Sequence, residues 1–377
     1  MTPPTRITST TSATQASGSA PAAFVPAPVS TAAATTGHLL PASRARTRGR
    51  LANTSAAAWI GGAAVLFFVA ALVLPFIGAT ALDWGRVWHR QEPDWSILTN
   101  LRLSRTLLGL FAGGALALAG SVFQSMLRDA LATPYTLGVS TGASLGAVVA
   151  IACHWHTMAG IAGIWAGALV GAAAILFVVM GAATREGHLS SASLLLAGIA
   201  LNSVCAALIL LIHGLSGVSQ SFAISRWLIG SLDAIERPTL AVYIAIVCVT
   251  AVVIVSQARH WNLLAVGEAW AATRGAHVER SLVAGYIAGS VLAAATVALT
   301  GPIGFVGLVV PHLLRRRLGG DDRLLMPCAF LLGGILLASC DAVGRVAIAP
   351  AEIPAGAITA FIGGPHLIWV IRRGGTR

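Results

Sequence analysis

The chain has 377 residues, of which 56% are hydrophobic and only 10% are charged. Since a soluble protein normally carries about a quarter charged residues on its water-facing surface, this composition excludes a soluble globular protein and predicts a membrane protein. The formal net charge is +11, and all 24 basic residues are arginine. Without lysine the chain can form neither a P-loop nor a Schiff base, so any ATP that drives it must be bound by another chain.

Nucleic-acid binding and metal chemistry find no support in the composition. No basic run is interleaved with aromatic residues, so the positive charge does not indicate a nucleic-acid partner. The five cysteines lie far apart without a CxxC pair, which predicts small buried side chains rather than a metal centre or a disulfide framework. We expect neither catalytic residues nor a cofactor.

The N-terminal segment, residues 1–54, is rich in Thr, Ser, Ala and Pro and ends in a basic run. Such a segment buries too little apolar area to offset its ordering entropy, and it is predicted to be a disordered cytoplasmic tail. The apolar run from Ala56 to Ile77 is longer than the hydrophobic region of a cleaved signal peptide. It therefore predicts an uncleaved first transmembrane helix.

Residues 55–377 predict an all-α polytopic membrane domain with ten transmembrane helices, since each span needs about 20 apolar residues. The spans after the first are centred on 105–127, 136–153, 159–183, 191–213, 239–257, 281–300, 303–315, 324–346 and 355–371. An even count puts both termini on one side. If that side is the cytoplasm, it carries 17 arginines against six acidic residues, and the outer side carries seven of each. This is the asymmetry of the positive-inside rule.

Two of these spans are short and follow glycine- and proline-rich stretches at Pro134 and Pro302. Because they lie five spans apart, they would enter the membrane from opposite faces, which hints at an inverted repeat with a substrate path at its interface. Glycines four residues apart, such as Gly109 and Gly113, predict helices that pack closely in lipid.

The segment 262–280 connects the sixth and seventh spans on the predicted cytoplasmic side. Its part from Leu263 to Thr273 has helical spacing with one apolar face, and Gly275 is placed to cap the helix at its C-terminal end. A short amphipathic helix of this kind could lie on the bilayer or dock into a groove of a partner. The spacing alone does not separate these alternatives.

Three arginines lie at the predicted outer ends of spans. Arg102 and Arg105 share one helical face at a spacing of three residues, and Arg345 lies near the outer end of the ninth span. Arginines in such places often extend to the lipid headgroups. Asp341, one turn before Arg345, is expected to be its partner within the membrane rather than a proton relay.

From Ile97 to its C-terminus, the chain resembles the FecCD family of ABC importer permeases, which carry ferric siderophores, haem or cobalamin. The matching residues follow the family's order: Arg102–Leu107, Pro134–Ser140, Leu196–Asn202, Gly267–Glu268 with Ala271 and Gly275, Gly301–Leu308, Pro311–His312 with Arg315, Asp321, Arg323 and Pro327, and Glu352, Pro354, Gly356, Thr359, Gly363, Pro365 and Trp369. The ordered series supports the resemblance far more strongly than any single motif.

The resemblance implies a type II ABC importer permease in the cytoplasmic (inner) membrane, which is a transport subunit and not an enzyme. Its implied partners are a cytoplasmic ATP-binding subunit dimer, an extracytoplasmic substrate-binding protein, a second permease subunit and membrane lipid. The implied cargo is an iron(III)-siderophore, haem or cobalamin. The chain departs from the family at residues 129–132, at Asp322 and at His366.

The resemblance also implies roles for particular residues. Residues 262–276 are expected to form the coupling helix, which is seated in a cleft of the ATPase, and the outer arginines are expected to receive acidic residues of the binding protein. The translocation path is expected between the fifth and tenth spans of a dimer, beside a short outer helix near Ser221–Leu232. The implied site residues are Gly267, Glu268, Ala271, Arg274 and Gly275 for coupling, Arg102, Arg105 and Arg345 for docking, and Asn202, Thr359 and His366 for the path.

The principal alternative is an ion-coupled secondary transporter of a small hydrophilic solute. Such a transporter needs acidic residues or histidines near the centres of its spans, and this sequence has almost none there. For His366, packing between helices is a second interpretation beside a place on the path. The sequence distinguishes neither the chelate carried nor a homodimer from a heterodimer.

Overall fold

The computed structural model describes residues 42–80, 82–155, 161–185, 188–348 and 351–374. Its α-helices are α1 (Ala42–Val73), α2 (Trp84–Trp88), α3 (Asp94–Ser96), α4 (Leu103–Leu127), α5 (Val139–Ala152), α6 (Ile161–Ala183), α7 (Ser191–Leu215), α8 (Val218–Ile229), α9 (Arg237–Ser256), α10 (Ala258–Val266), α11 (Glu268–Thr273), α12 (Val278–Thr300), α13 (Val306–Leu318), α14 (Asp322–Val346) and α15 (Ala355–Gly374). A 3-10 turn, Leu74–Phe76, follows α1, and a π-helix, Ile97–Arg102, leads into α4. The strands β1 (Thr184–Arg185) and β2 (His188–Leu189) form a small antiparallel hairpin.

The predicted all-α membrane fold is confirmed, whereas the count of ten spans stays a prediction. Seven of the described helices are long and apolar enough to cross a bilayer, namely 56–76, 94–127, 162–183, 191–215, 237–256, 278–300 and 322–346. The other predicted spans also contain helices, but α5 has 14 residues and α13 has 13. A 14-residue helix covers about 21 Å at 1.5 Å per residue, which is less than the hydrocarbon thickness.

The N-terminal prediction lies largely outside the described residues. Within residues 1–54, helix α1 begins at Ala42, so the helix starts before the predicted boundary of the membrane domain. Arginine and alanine favour helix, which is consistent with a helix that begins before the apolar run.

Helix α4 is the centre of the bundle. In its most apolar stretch, 89% of the residues are buried, against 11% for α1. Gly113 contacts the backbone of Gly333 on α14, and Gly120 contacts the backbone of Gly307 on α13. The predicted close approach at small residues is thus confirmed, because these helices meet backbone to backbone.

Replacing Gly120 by alanine is expected to lower the free energy of unfolding by about 1–3 kcal/mol, since the added methyl group would overlap the Gly307 carbonyl. The matched control is Gly181→Ala on α6, because an added Cβ there meets nothing within 4 Å. Both variants gain the same helix propensity, so unfolding in mixed detergent micelles isolates the packing effect. Equal stability of the two variants would contradict the α4–α13 contact.

The two short spans begin alike. Helix α5 follows Gly138, whose φ is 80°, and helix α13 follows Phe305, whose φ is 67°. Both chains therefore turn sharply through left-handed backbone before the helix starts. The two entrances meet at a cavity of about 300 Å³, where Pro134 and Tyr135 lie opposite Gly304 and Phe305.

The prediction of one helix over Leu263–Thr273 is wrong. The structure has two short helices, α10 and α11, which are separated at Gly267, where φ is 153°. Side chains disfavour this backbone conformation, so the glycine allows a sharp bend that a continuous helix could not make. The predicted cap is confirmed: Gly275 has φ 79°, and its N–H donates to the carbonyl of Ala272 at 3.0 Å.

Candidate functional site

The helix pair α10–α11 is anchored to the bundle by its first helix. The indole of Trp261 is 1% exposed and donates to the carbonyl of Ile254 at 3.0 Å. Asn262 donates to Asp321 Oδ1 and accepts from the backbone N–H of Asp322, both at 2.8 Å. This amide therefore fastens α10 to the first turn of α14.

The second helix, α11, is held through Glu268. Its Oε1 accepts from the hydroxyl of Ser191 at 2.5 Å and from the backbone N–H of Ser191 at 3.2 Å, and it lies 3.8 Å from Arg128 Nη2. Ser191 begins α7, so the carboxylate satisfies an otherwise unpaired N–H at a positive helix end. One acidic side chain thus joins α11, α7 and the end of α4.

The outward face of the helix pair is partly apolar. Val266 is 63% exposed and Trp270 is 40% exposed, and the guanidinium of Arg274 lies 4.7 Å from the centre of the Trp270 ring. Ala271, in contrast, is fully buried against the bundle. The predicted coupling residues are therefore divided: Glu268 and Ala271 face the bundle, whereas Arg274 and Gly275 face solvent.

At the other end of α4 lies the outer arginine cluster, which we define as Arg102, Arg105, Asp341, Arg345 and Glu352. Arg105 donates through Nε to Asp341 Oδ1 at 3.0 Å, and its Nη2 lies 2.9 Å from the same oxygen. Its Nη1 donates to Glu352 Oε2 at 2.8 Å. Arg345 Nε lies 3.2 Å from Asp341 Oδ2, which confirms the predicted pairing of Asp341 with Arg345.

Two arginines of this cluster are buried. Arg102 is 7% exposed and donates to the carbonyl and to the hydroxyl of Thr80. Arg345 is 4% exposed, and its Nη1 and Nη2 have no hydrogen-bond acceptor among the residues that the structure describes. Neither side chain extends toward solvent, so two of the three positive charges of the cluster lie beneath the protein surface.

The comparison with known protein families decides the identity of the chain. The model of the FecCD transport family matches residues 63–373. The chain belongs to the FecCD transport family. It is 36% identical over 318 residues to the hemin transport system permease protein HmuU of Yersinia pestis, covering 83% of this chain and 95% of that protein.

Other relatives agree. This FecCD protein is 36% identical over 341 residues to the ferric enterobactin transport system permease protein FepD of Escherichia coli, covering 86% of this chain and 98% of that protein. It also matches a solved structure described as an inward-facing conformation of a metal-chelate type ABC transporter, with a TM-score of 0.72 and 27% identity over 84% of this chain and 99% of that chain.

The protein is therefore a multi-pass inner-membrane permease subunit of an ABC importer with the type II fold, and not an ion-coupled secondary transporter. Members of this family are transport permeases rather than enzymes, and they work with an ATPase and a substrate-binding protein.

The three predicted path residues of the FecCD permease do not form one cluster. Asn202 on α7 accepts from the hydroxyl of Thr141 at 2.6 Å, between α7 and α5. Thr359 and His366 lie about two turns apart on α15. Thr359 is 3% exposed and donates to the carbonyl of Gly356, and the His366 ring lies 6.1 Å from that of His312.

Sequence reasoning missed several residues that support these sites. Ser191 and Arg128 hold Glu268, and Asn262 holds the start of α14, although no local pattern predicts these contacts. Glu352 belongs to a family motif, but its pairing with Arg105 has no signal in the sequence. The short helix predicted near Ser221–Leu232 is present as α8, and its place on the outer side stays a prediction.

Proposed function

We propose that the FecCD permease imports an iron(III) chelate of the siderophore class, with both termini in the cytoplasm. The observation that carries this proposal is the rigidly anchored helix pair α10–α11, which leaves Val266 and Trp270 exposed at one end of the bundle. An exposed apolar surface on a fixed helix suits docking into a groove of a partner. The names of the relatives, which include hemin and ferric enterobactin permeases, support a metal chelate as the cargo.

The partner at α10–α11 is a cytoplasmic ATPase subunit, and two copies of it would serve a permease dimer. Trp270 and Arg274 supply the contact surface, while Gly267 sets the bend between the two helices. Glu268 would transmit a displacement of α11 to the bundle, because its carboxylate contacts Ser191 at the start of α7. Displacement of α11 by the ATPase would therefore pull on the start of a helix that lines the proposed path.

The partner at the opposite end is the extracytoplasmic binding protein. Arg102, Arg105 and Arg345 carry three positive charges against the two negative charges of Asp341 and Glu352, which leaves the cluster with an excess of +1. Arg105, whose side chain is 15% exposed, would make the direct contact, because the planar group of arginine can hold a carboxylate through two hydrogen bonds. The buried Arg102 and Arg345 would contribute through their charge.

The proposed translocation path lies between α7 and α15 of two permease subunits, with α8 at its outer end. Both helices leave large apolar side chains uncovered, such as Leu196 (69% exposed) and Phe361 (82% exposed). Asn202 and His366 would contribute polar groups to the path, and Thr359 would reach it through rotation of α15.

The proposed cargo is tested by uptake in a strain that lacks the permease gene. We expect the uptake of labelled ferric siderophores to fall to background and to return with the wild-type gene, while haem and cobalamin uptake report on the two related cargoes. Restoration by a Glu268→Arg variant would argue against ATPase coupling. Transport by the purified permease alone, driven by a proton gradient, would contradict the proposed function as a whole.

A further inference from the structure

Carboxylates already face all three nitrogen atoms of the Arg105 guanidinium. Its Nε and Nη2 edge is occupied by the buried carboxylate of Asp341, which is 1% exposed. Nη1, on the other side of the guanidinium, is occupied by Glu352, whose side chain is 50% exposed. A carboxylate that approaches Arg105 from outside therefore meets Glu352 first.

We propose that Glu352 is an internal substitute for an acidic residue of the binding protein, and that docking exchanges one carboxylate for the other on Arg105. This inference rests on the proposed docking role of the outer arginine cluster. The exchange leaves the number of charges around Arg105 unchanged, so no guanidinium becomes uncompensated. Departure of Glu352 without replacement would leave the excess charge of the cluster at +2.

Glu352 also connects this exchange to the start of α15. The next residue, Ile353, donates its N–H to the carbonyl of Gly344 at 3.0 Å, and α15 begins at Ala355. The N–H of Gly356 donates to the carbonyl of Gly230, just after α8, at 3.2 Å. The Arg105–Glu352 pair thus fastens the connection between α14 and α15 to α4, and docking of the binding protein would release it.

The test measures binding of the purified, ligand-free cognate binding protein to the permease–ATPase complex in lipid nanodiscs. Glu352→Gln is expected to tighten this binding by about threefold to fivefold, because a half-exposed ion pair contributes only modestly. The matched control is Glu236→Gln. Glu236 is an exposed acid at the same end of the bundle, where the carbonyl of Ile235 accepts from Ser104 at 2.7 Å. This control should leave the affinity unchanged.

A third variant separates this inference from the docking proposal. If Arg105→Gln weakens binding while Glu352→Gln has no effect or weakens it, the docking role stands and the exchange is wrong. If neither variant changes the affinity, both are wrong.

A second measurement follows the connection between α14 and α15. Cys153 and Cys248 are exposed, so the prediction of burial is wrong for these two of the five cysteines. In a background with both replaced by serine, Ile353→Cys should react faster with a maleimide once the binding protein is added. An unchanged rate of the maleimide reaction would contradict the proposed release of the connection between α14 and α15.

Discussion

Glu268→Arg is expected to disconnect ATP hydrolysis from transport. The new guanidinium would lie beside Arg128 and at the N-terminal end of α7, where the helix dipole already places positive charge. It would also remove the acceptor for the hydroxyl and the N–H of Ser191. Charge-assisted hydrogen bonds contribute about 1.5–3 kcal/mol. Since about 1.4 kcal/mol corresponds to a factor of ten, the contact between α11 and α7 should weaken by roughly tenfold to a hundredfold, and uptake per ATP hydrolysed should fall with it.

The measurement uses the permease reconstituted with its ATPase and binding protein, with ATP hydrolysis and uptake followed together. Glu268→Gln is the matched control, because the amide keeps an oxygen that can accept from Ser191 while it loses the charge. We expect this variant to retain most of the coupling. Wild-type coupling in a correctly folded Glu268→Arg protein would count against the assignment of α10–α11 to the ATPase.

Asp341→Ala is expected to have the largest effect on stability. The Asp341 carboxylate is 1% exposed and lies within 3.2 Å of both Arg105 and Arg345. Without it Arg345, whose side chain is 5% exposed, keeps a buried charge and loses the one carboxylate that pairs with it among the residues that the structure describes. Removal of one partner of a buried ion pair costs about 3–5 kcal/mol, which is a large part of the stability of a typical domain.

The double variant Asp341→Leu with Arg345→Leu is the control for this prediction. It removes the orphaned charge together with its partner, and apolar replacement of a buried pair is often neutral. We expect it to recover most of the free energy of unfolding in mixed detergent micelles, while Arg105 keeps Glu352. Equal destabilisation by the single and the double variant would show that the charge of Arg345 does not need Asp341.

Helix α4 connects the outer arginine cluster with the helix pair α10–α11. One end of this helix supplies Arg105 to the outer arginine cluster, and the residue just after its other end, Arg128, contacts Glu268. Its middle packs against α13 and α14 through glycines, so it cannot easily bend between the two ends. We propose that this buried, closely packed helix holds the two proposed docking sites in a constant relation during transport.

The helix pair α10–α11 shows what a local sequence pattern can predict and what it cannot. Its apolar spacing and Gly275 correctly predicted helical structure with a cap. The spacing did not reveal the break at Gly267, because a glycine inside a helical pattern is compatible with either a continuous or a bent helix. Trp261 and Asn262 fix the bend, because they hold α10 against helices that are distant in the chain.

The sequence by itself determined the membrane location, the helical class and the approximate position of the seven helices that are long enough to span the bilayer. These follow from local hydropathy, because the bilayer forces every apolar stretch of sufficient length to satisfy its own backbone hydrogen bonds as a helix. Only the tertiary structure decided which charges meet. Glu268 reaches Ser191 across 77 residues of chain, and Arg105 reaches Asp341 across 236 and Glu352 across 247. Such pairs depend on how closely glycine-lined helices pack, which is a property of surfaces far apart in the chain that no local pattern records.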